Sequence, residues 1–432
     1  MRLRAAAWMA FLGPFFFLIY GACNWITAQR SGVGSFYWSW ELAIPFVPAM
    51  IVPYMSLDLF YAGSTFLCRT RQEIHVLARR MVFAILVAAV CFLIFPLKIA
   101  FVRPPTPGFF GVLFDWLRLD QPYNLVPSLH MTLRAIVWVP YGRVLTGLPR
   151  TLAKMWFVLI ALSAVLTYQH QVLDIICGEI LAVIAFYLLP ENGPFPIRFR
   201  QGSRNWKYAA LYGASTMLLT AAAIVLRPWG TILLWPAVSL GLVAVAYMGA
   251  GPAIFQKREG VLSWSARILL APYLAGKAIS CRFYHRSAPQ CLEVAANVVV
   301  GGWLDARDPG EFGKLKCTAV LDLTAEFSEW RRLRTGAYKN IQVLDLTLPA
   351  REDVRRAVEF IKDHAERGRV YVHCALGYSR SAGIAAAYML ATGGAETAGE
   401  AVAKIRGVRP QIVLRQEWME LLREFAPDRQ SV

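Results

Sequence analysis

Two residues six positions apart, Cys374 and Arg380, have the types and spacing needed for chemistry on a phosphate group. A cysteine thiolate is a strong nucleophile, and the planar guanidinium of arginine can hold two phosphate oxygens at once. Gly377 and Ser379 lie in the loop between them and are expected to contact the substrate, while Ser381 can donate to the sulfur or help water enter in a second step. A lone cysteine before a helix is usually a small buried apolar residue, but the coincidence of these residues favours a nucleophile.

The elements that must position these residues are a strand before the cysteine and a helix after it. The run 369–372 is rich in β-branched and aromatic residues and predicts a buried strand, whereas the small residues of 381–390 predict a helix. A tight loop between the two turns its backbone N–H groups inward and forms a cradle for an anion. The same field lowers the pKa of a thiol, so Cys374 is expected to be largely in the thiolate form.

The segment from His373 to Ser381 resembles the His-Cys-x5-Arg-Ser signature of the protein tyrosine phosphatase superfamily, and its Gly-Tyr-Ser-Arg-Ser ending is similar to the dual-specificity branch. The resemblance implies that Cys374 attacks phosphorus, that an upstream aspartate protonates the leaving oxygen, and that no metal or other cofactor is required. Asp345 ends a predicted strand at 340–344, 29 positions before the cysteine, and is the predicted acid. Asp353 is the alternative, and either aspartate could instead cap the following helix.

Composition divides the chain into an apolar part and a part of ordinary globular composition. The sequence is 57% hydrophobic, too much for an ordinary soluble protein, and its net charge is +17. Residues 1–255 hold 19 Lys and Arg against 8 Asp and Glu, while residues 256–432 hold 26 against 20. The basic excess suits an anionic membrane surface and phosphate substrates, and no basic stripe with interleaved aromatic residues indicates nucleic acid. The eight cysteines are scattered, which argues against a disulfide framework or a zinc site.

The apolar part predicts about eight membrane spans, judged by the need for about 20 apolar residues in each. They lie near 5–28, 43–68, 81–97, 129–147, 155–170, 171–190, 208–229 and 231–255. Lys and Arg are concentrated in alternate connections, beginning before the first span and ending after the eighth. This pattern predicts a multi-pass protein of the cell (inner) membrane, with both termini and the C-terminal domain in the cytoplasm.

A second group of ionisable residues lies at span ends on the opposite membrane face. Ionisable side chains at such positions cost free energy unless they pair or react. His170 and Asp174 are four positions apart, so on a helix they share a face and the carboxylate can orient the imidazole. Lys98 and Arg103 are the predicted clamp for a phosphate. Two more members open the fourth predicted span, namely Ser128 and His130.

These three segments resemble the three-part signature of the membrane-embedded type 2 phosphatidic acid phosphatase superfamily. The resemblance implies that His170 is the nucleophile that forms a phosphohistidine. It also implies that His130 is the acid for the leaving group and that Ser128 is a phosphate ligand. The segments depart from the signature at two points: fewer residues separate Lys98 from Arg103, and the third segment lacks the arginine that usually precedes its histidine. The weaker third segment is closer to lipid phosphotransferase relatives.

The predicted fold is a polytopic α-helical membrane domain followed by an α/β Cys-dependent phosphatase domain. The membrane domain is assigned to 1–255, with a lipid-phosphatase-like core at 80–190, and the phosphatase-like domain to 285–432, where alternating strands and helices predict a parallel sheet. The juxtamembrane linker at 256–284 can either lie flat on the inner leaflet or pack as a helix against the domain that follows.

This organisation predicts a bifunctional membrane phosphatase. Its cytoplasmic site would hydrolyse phosphomonoesters of protein or lipid, and its membrane site would hydrolyse or transfer lipid phosphate. One alternative is a lipid headgroup phosphotransferase coupled to a lipid-phosphate phosphatase. Another is a phospho-binding membrane receptor with an inactive phosphatase fold, which the complete set of Cys374, Arg380 and Asp345 argues against. The expected partners are membrane lipids and phosphorylated lipid or protein substrates.

Overall fold

The computed structural model divides the chain into two compact units, Met1–Phe195 and Pro196–Val432, which are described separately. It describes a defined set of residues, namely 1–117, 123–199, 204–226, 229–285, 291–304, 313 and 315–426.

The first unit is entirely helical in its described residues. Apolar side chains from α1, α2, α3, α5, α6 and α7 meet in one buried cluster that includes Leu12, Met81, Ile136 and Leu181. The seven helices are α1 (Arg2–Ala28), α2 (Ile51–Ser64), α3 (Arg71–Ile94), α4 (Gly108–Leu117), α5 (Leu129–Val144), α6 (Gly147–Leu166) and α7 (Val172–Leu188).

Five helical segments of the described residues are long and apolar enough to cross a membrane, and they indicate membrane association. The predicted number of eight spans is not confirmed. Three of the expected spans, α2, α5 and α7, are helices of only 14, 16 and 17 residues. At 1.5 Å per residue, 16 residues rise about 24 Å, which is less than the roughly 30 Å of a bilayer's hydrocarbon core. The five segments are Arg2–Ala28, Arg71–Ile94, Gly147–Leu166, Trp206–Val225 and Trp229–Phe255.

The second unit begins with two apolar helices that pack against each other, α8 (Trp206–Val225) and α9 (Leu234–Val245). A short hairpin of β1 (Lys257–Arg258) and β2 (Val261–Leu262) follows, and then come α10 (Trp264–Leu269) and α11 (Ala271–His285). The Tyr273 N–H at the start of α11 donates to Ser239 Oγ of α9 at 3.3 Å. The linker is therefore helical in this part and is attached to the apolar helix α9.

A five-stranded sheet forms the centre of the rest of the second unit, in the order β3-β4-β7-β5-β6. Strands β4, β7, β5 and β6 run parallel to one another, as predicted, but the edge strand β3 runs antiparallel to β4. The strands are β3 (Cys291–Ala295), β4 (Val298–Gly301), β5 (Cys317–Thr324), β6 (Ala337–Val343) and β7 (Arg369–His373).

Four helices cover one face of this sheet. Alternate strand residues such as Val300 and Val372 point to that face and join a core with Ile361 and Trp418, while Val299 and Tyr371 join a second core on the opposite face. Because β7 is the central strand, Cys374 emerges from the middle of the sheet's carboxyl edge, where α/β folds commonly build their sites. The helices are α12 (Arg351–Ala365), α13 (Arg380–Ala391), α14 (Ala398–Val408) and α15 (Gln416–Arg423).

Candidate active site

The loop between β7 and α13 is held against the neighbouring strand β4 by main-chain hydrogen bonds. The Cys374 N–H donates to the Gly301 carbonyl at 3.3 Å, and the Trp303 N–H donates to the Ala375 carbonyl at 3.0 Å. Gly377 has a φ of +76°, and a Cβ built there would lie 2.6 Å from the main chain of Gly301. Only glycine can therefore take this place, and it lets the loop turn tightly enough to bring its N–H groups towards the sulfur.

The sulfur of Cys374 is surrounded by groups that favour its anionic form. The Gly377 N–H donates to Sγ at 3.2 Å, and the Ser381 hydroxyl lies 3.3 Å from it. Burial alone would raise the pKa of this thiol, but the positive charge of Arg380 and the hydrogen bonds from Ser381 outweigh it and hold the pKa below that of an ordinary cysteine. The predicted thiolate nucleophile is therefore consistent with its surroundings.

The guanidinium of Arg380 is buried, with only 2% of the residue exposed, and is fixed by acceptors from two other strand ends. Glu326, which follows β5, receives hydrogen bonds from both terminal nitrogens, at 2.8 and 3.2 Å. The Val343 carbonyl at the end of β6 accepts a third at 2.7 Å. Sequence reasoning missed Glu326, although its place just after a buried strand next to β7 is a signal that could have found it.

The predicted acid, Asp345, lies within the same charge cluster. Its Oδ1 is 3.0 Å from Arg380 Nη2, and its Oδ2 accepts a hydrogen bond from Lys277 of α11. Burial opposes ionisation, but Arg380 and Lys277 lower the pKa of Asp345 to about 2. In the unliganded site Asp345 is therefore ionised, and it must gain a proton before it can act as an acid. The alternative acid, Asp353, instead pairs with Arg356 within the first turns of α12.

The outer part of the loop is supported by a second buried arginine, Arg409, which follows α14. Its Nη2 donates to the Leu376 carbonyl at 3.0 Å, and its guanidinium lies over the Tyr378 ring at 5.4 Å. Ser379, the predicted substrate contact, precedes α13, and its carbonyl accepts the Gly383 N–H at 2.8 Å. These contacts hold the loop in place in addition to its chain connections to β7 and α13.

A buried polar cluster lies behind the loop and brings Asp322, Glu329 and His373 close enough for their ligand atoms to share one ion. The ammonium of Lys257 already contacts Asp322 Oδ2 at 2.5 Å, and the Tyr338 hydroxyl donates to the same oxygen at 2.6 Å. Glu329 and Asp322 raise the pKa of His373 despite its burial. The Thr324 N–H and hydroxyl both donate to Asp322 Oδ1 at 2.8 Å. Because both carboxylate oxygens of Asp322 are already occupied by hydrogen-bond donors, the donor set does not fit a metal ion.

The first unit brings together most of its predicted site residues. The His170 Nδ1 lies 3.3 Å from Asp174 Oδ2. The expected shared helical face is wrong, because His170 precedes α7, which begins at Val172. The Ser128 N–H donates to the Asp174 carbonyl at 2.9 Å, so the start of α5 meets the start of α7. His130 follows in the first turn of α5, where its ring stacks on Tyr54 with the ring centroids 4.1 Å apart.

The two residues of the predicted phosphate clamp in the first unit contact other groups. The Lys98 N–H donates to the Gly34 carbonyl at 2.8 Å, and the Arg103 guanidinium lies 5.5 Å from the centre of the Phe114 ring. Sequence reasoning also missed Glu41, whose carboxylate accepts the Val172 N–H at 2.9 Å at the start of α7.

The position of the Cys374 sulfur on the sheet of the second unit indicates which class of enzyme this unit belongs to. A low-pKa cysteine between a central strand and a helix, with a rigidly held arginine beside it, is arranged to attack phosphorus. Residues 300–428 match the family model described as dual specificity phosphatase, catalytic domain. This part of the chain is therefore a phosphoric monoester hydrolase domain of the dual-specificity phosphatase type.

Several curated proteins and solved structures are similar to part of this chain. The chain is 36% identical over 101 residues to the rat "Phosphatidylglycerophosphatase and protein-tyrosine phosphatase 1", a match that covers 22% of this chain and 50% of the relative. It is 35% identical over 101 residues to the human protein of that name, covering 22% and 48%. The crystal structure of PTPMT1 in complex with PI(5)P is 19% identical, covers 31% of this chain and 93% of that chain, and has a TM-score of 0.29. The chain thus spans about half the length of the curated relatives it matches.

Proposed function

We propose that this protein hydrolyses phosphoric monoesters of membrane lipids at Cys374. The observation that carries the proposal is the set of groups prepared around one sulfur: the Gly377 N–H, the Ser381 hydroxyl and the guanidinium of Arg380. Such a set stabilises both a thiolate and the oxygens of a phosphoryl group, and it needs no reorganisation when charge develops.

The reaction would proceed in two steps. In the first, the Cys374 thiolate attacks phosphorus, an S–P bond forms, and the bond to the leaving oxygen breaks as Asp345 gives that oxygen its proton. In the second, water attacks phosphorus and returns a proton to the Asp345 carboxylate, and the S–P bond breaks to release inorganic phosphate and the thiolate. Arg380 and the loop N–H groups hold the phosphoryl oxygens throughout.

The relatives' name includes both phosphatidylglycerophosphatase and protein-tyrosine phosphatase, so it does not separate a lipid from a phosphoprotein substrate. Two observations of the structure favour a lipid. Apolar helices α8 and α9 belong to the same compact unit as the catalytic loop. The loop between β6 and α12 is also attached to them, because the Tyr247 hydroxyl donates to the Asp345 carbonyl at 2.9 Å. A substrate presented at a bilayer surface would meet the site directly.

A substrate panel tests this proposal. The full-length protein in neutral detergent is expected to release phosphate from a lipid phosphomonoester with a kcat/KM at least about tenfold higher than from a phosphotyrosine peptide, a preference of about 1.4 kcal/mol. A reverse preference would make the protein a protein phosphatase. Binding without any release would make it a phospho-binding receptor and overturn the proposal.

A second candidate function belongs to the first unit, where the contact between His170 and Asp174 supports a His-dependent lipid phosphatase or phosphotransferase. The imidazole would attack phosphorus through Nε2, because Nδ1 faces the carboxylate. In this proposal the His130 side chain protonates the leaving oxygen, and Ser128, Lys98 and Arg103 bind the phosphate.

The second function is tested in a Cys374→Ser background, which removes the first. The His170→Ala change is expected to abolish the remaining lipid phosphate release or transfer, while His75→Ala, at an exposed histidine of α3, leaves it unchanged. Transfer is recognised by phosphate appearing on an acceptor lipid instead of in solution. If His170→Ala alters neither product with any lipid, the membrane site is wrong.

We also propose the domain layout and topology that the sequence predicts. The membrane domain would occupy 1–255 with its core at 80–190, the linker 256–284 and the phosphatase domain 285–432, with the phosphatase on the cytoplasmic side. Support comes from the family match at 300–428 and from the apolar helical segments that precede it.

A further inference from the structure

Helix α11, which precedes the phosphatase sheet, forms one wall of the catalytic loop. Its Cys281 belongs to a small buried cluster with Ala375 of the loop, and Ala278 packs against that cluster. One helical turn from Cys281, Lys277 reaches the Asp345 carboxylate. The same helix is attached to α9 through Tyr273. A segment outside the sequence signature therefore touches both the cradle and the predicted acid.

Asp345 lies between two cations. Its Oδ1 faces Arg380 and accepts the Leu346 N–H at 3.1 Å, while its Oδ2 faces Lys277. Two other anionic groups lie close to these partners, namely Glu326, which is paired with Arg380, and the Cys374 thiolate. The titratable groups that also face Asp345 or Lys277 are Tyr212, Tyr247, Tyr273 and Cys281. The side chains of Lys277 and Asp345 remain 17% and 22% exposed, so an incoming anion can reach them.

The loop that carries Asp345 is held by two hydrogen bonds to residues outside it. Leu346 has a φ of +58°, which a leucine rarely adopts, and its carbonyl accepts a hydrogen bond from Asn205 Nδ2 at 3.4 Å. The Asp345 carbonyl is bonded to Tyr247. These two hydrogen bonds oppose a swing of the main chain that would carry the carboxylate away from its cations, so a change in its charge is attributed to the cations exchanging partners.

We propose that Lys277 is a positioning and specificity-determining residue that keeps Asp345 ionised until a second anionic group of the substrate draws the ammonium away. The proposal rests on the proposed hydrolysis at Cys374. The phosphomonoester takes Arg380, and a phosphodiester of the same lipid takes Lys277. Asp345 then loses both cations beside a phosphoryl dianion, takes a proton from solvent, and can pass it to the leaving oxygen.

The arrangement selects for substrates with two anionic groups. A substrate with a single phosphomonoester displaces Asp345 from Arg380 only, so Lys277 still holds the acid in its charged form. Lysine suits this role because its ammonium is a compact charge on a flexible stem that can change partners. The ligand class is a phospholipid with a terminal phosphomonoester and an internal phosphodiester.

The test compares two alkyl phosphates whose leaving groups need a proton: phosphatidylglycerophosphate in neutral detergent, with two anionic groups, and glycerol 3-phosphate, with one. In Lys277→Met, we expect KM for the first substrate to rise about tenfold. We expect kcat for glycerol 3-phosphate to rise in this variant, because Lys277 no longer holds Asp345 in its ionised form. Removing a cation raises the pKa of a carboxyl, so the alkaline limb of kcat for glycerol 3-phosphate should move to higher pH.

Lys277→Arg should retain the preference for two anionic groups, and Lys404→Met, at a surface lysine of α14 paired with Glu400, should match the wild type. An equal loss with both substrates in Lys277→Met, without a shift of the alkaline limb, would mean a structural role and overturn the inference. If wild-type protein releases phosphate from neither substrate, the proposed function itself fails.

Two further experiments decide whether the second anion is the substrate's own phosphodiester or belongs to a neighbouring lipid. The water-soluble deacylated form of the two-phosphate substrate should keep the preference that Lys277→Met removes. If that form behaves like glycerol 3-phosphate, and adding an anionic lipid to the micelles accelerates glycerol 3-phosphate hydrolysis, the anion comes from a neighbouring lipid. The assignment to the substrate's own phosphodiester would then be wrong.

Discussion

Replacing Cys374 with serine is expected to lower phosphate release at this site by on the order of 10⁴-fold or more, as removal of a catalytic nucleophile does in other enzymes. A serine hydroxyl keeps the size of the side chain but stays protonated near neutral pH, so the surroundings that stabilise a thiolate have no anion to act on. The measurement is the rate of release from a lipid phosphomonoester in a His170→Ala background, which excludes the first unit.

A pH series of alkylation by iodoacetamide provides a second readout of the same residue. Only the thiolate reacts, so a lowered pKa moves the midpoint of the rate to lower pH than for an ordinary cysteine. Burial raises the pKa of Cys317, so this cysteine should react slowly at neutral pH, and Cys317→Ser serves as the matched control. A fully protonated Cys374 at neutral pH, or unchanged release in Cys374→Ser, would contradict the assigned nucleophile.

Replacing Arg380 with lysine is expected to lower kcat by about 10²- to 10³-fold, the usual loss when one preorganised donor to a developing oxyanion is removed. Lysine keeps the positive charge but loses the planar fork that can hold two phosphoryl oxygens. It also cannot reproduce the paired hydrogen bonds to Glu326 that fix the direction of the guanidinium. The measurement is kcat with a lipid phosphomonoester in the same His170→Ala background.

The matched control for this prediction is Arg356→Lys, at an arginine of α12 that is half exposed. It should leave kcat unchanged. Because Arg380 is buried against two carboxylates, the thermal midpoint of each variant must be measured alongside its activity. A folded Arg380→Lys protein with wild-type kcat would show that the guanidinium does not hold the phosphoryl group.

The charges around the sulfur also explain why the free site rests with its acid ionised. Two carboxylates, Glu326 and Asp345, face two cations, Arg380 and Lys277, in a partly buried region. A phosphoryl dianion adds negative charge to this group, which favours protonation of the more exposed carboxylate, Asp345. The same addition therefore binds the substrate and favours protonation of Asp345, which the proposed withdrawal of Lys277 completes.

Hydropathy was less informative about the first unit than about the second. Each span that hydropathy predicted in the first unit corresponds to a helix, but hydropathy did not predict how long each helix is. Helix α5 begins at Ser128, whose hydroxyl accepts the Met131 N–H at 3.3 Å, and α7 begins at a box formed by Gln171 and Asp174. Such caps set where a helix begins within an apolar run, and an average over many residues does not detect them.

The sequence by itself determined the strand and helix around Cys374 and Arg380, and it placed His170 and Asp174 close together. These features depend on residues close together in the chain, so their types and intervals carry the information. Only the tertiary structure decided what each group faces. Glu326, Asp345 and Lys277 reach the site from a strand end, a loop and a helix that are far apart in sequence, because parallel strands bring their carboxyl ends to one edge and α11 packs beside it. Distances between such groups are set by packing, and packing determines whether Asp345 holds a charge or a proton.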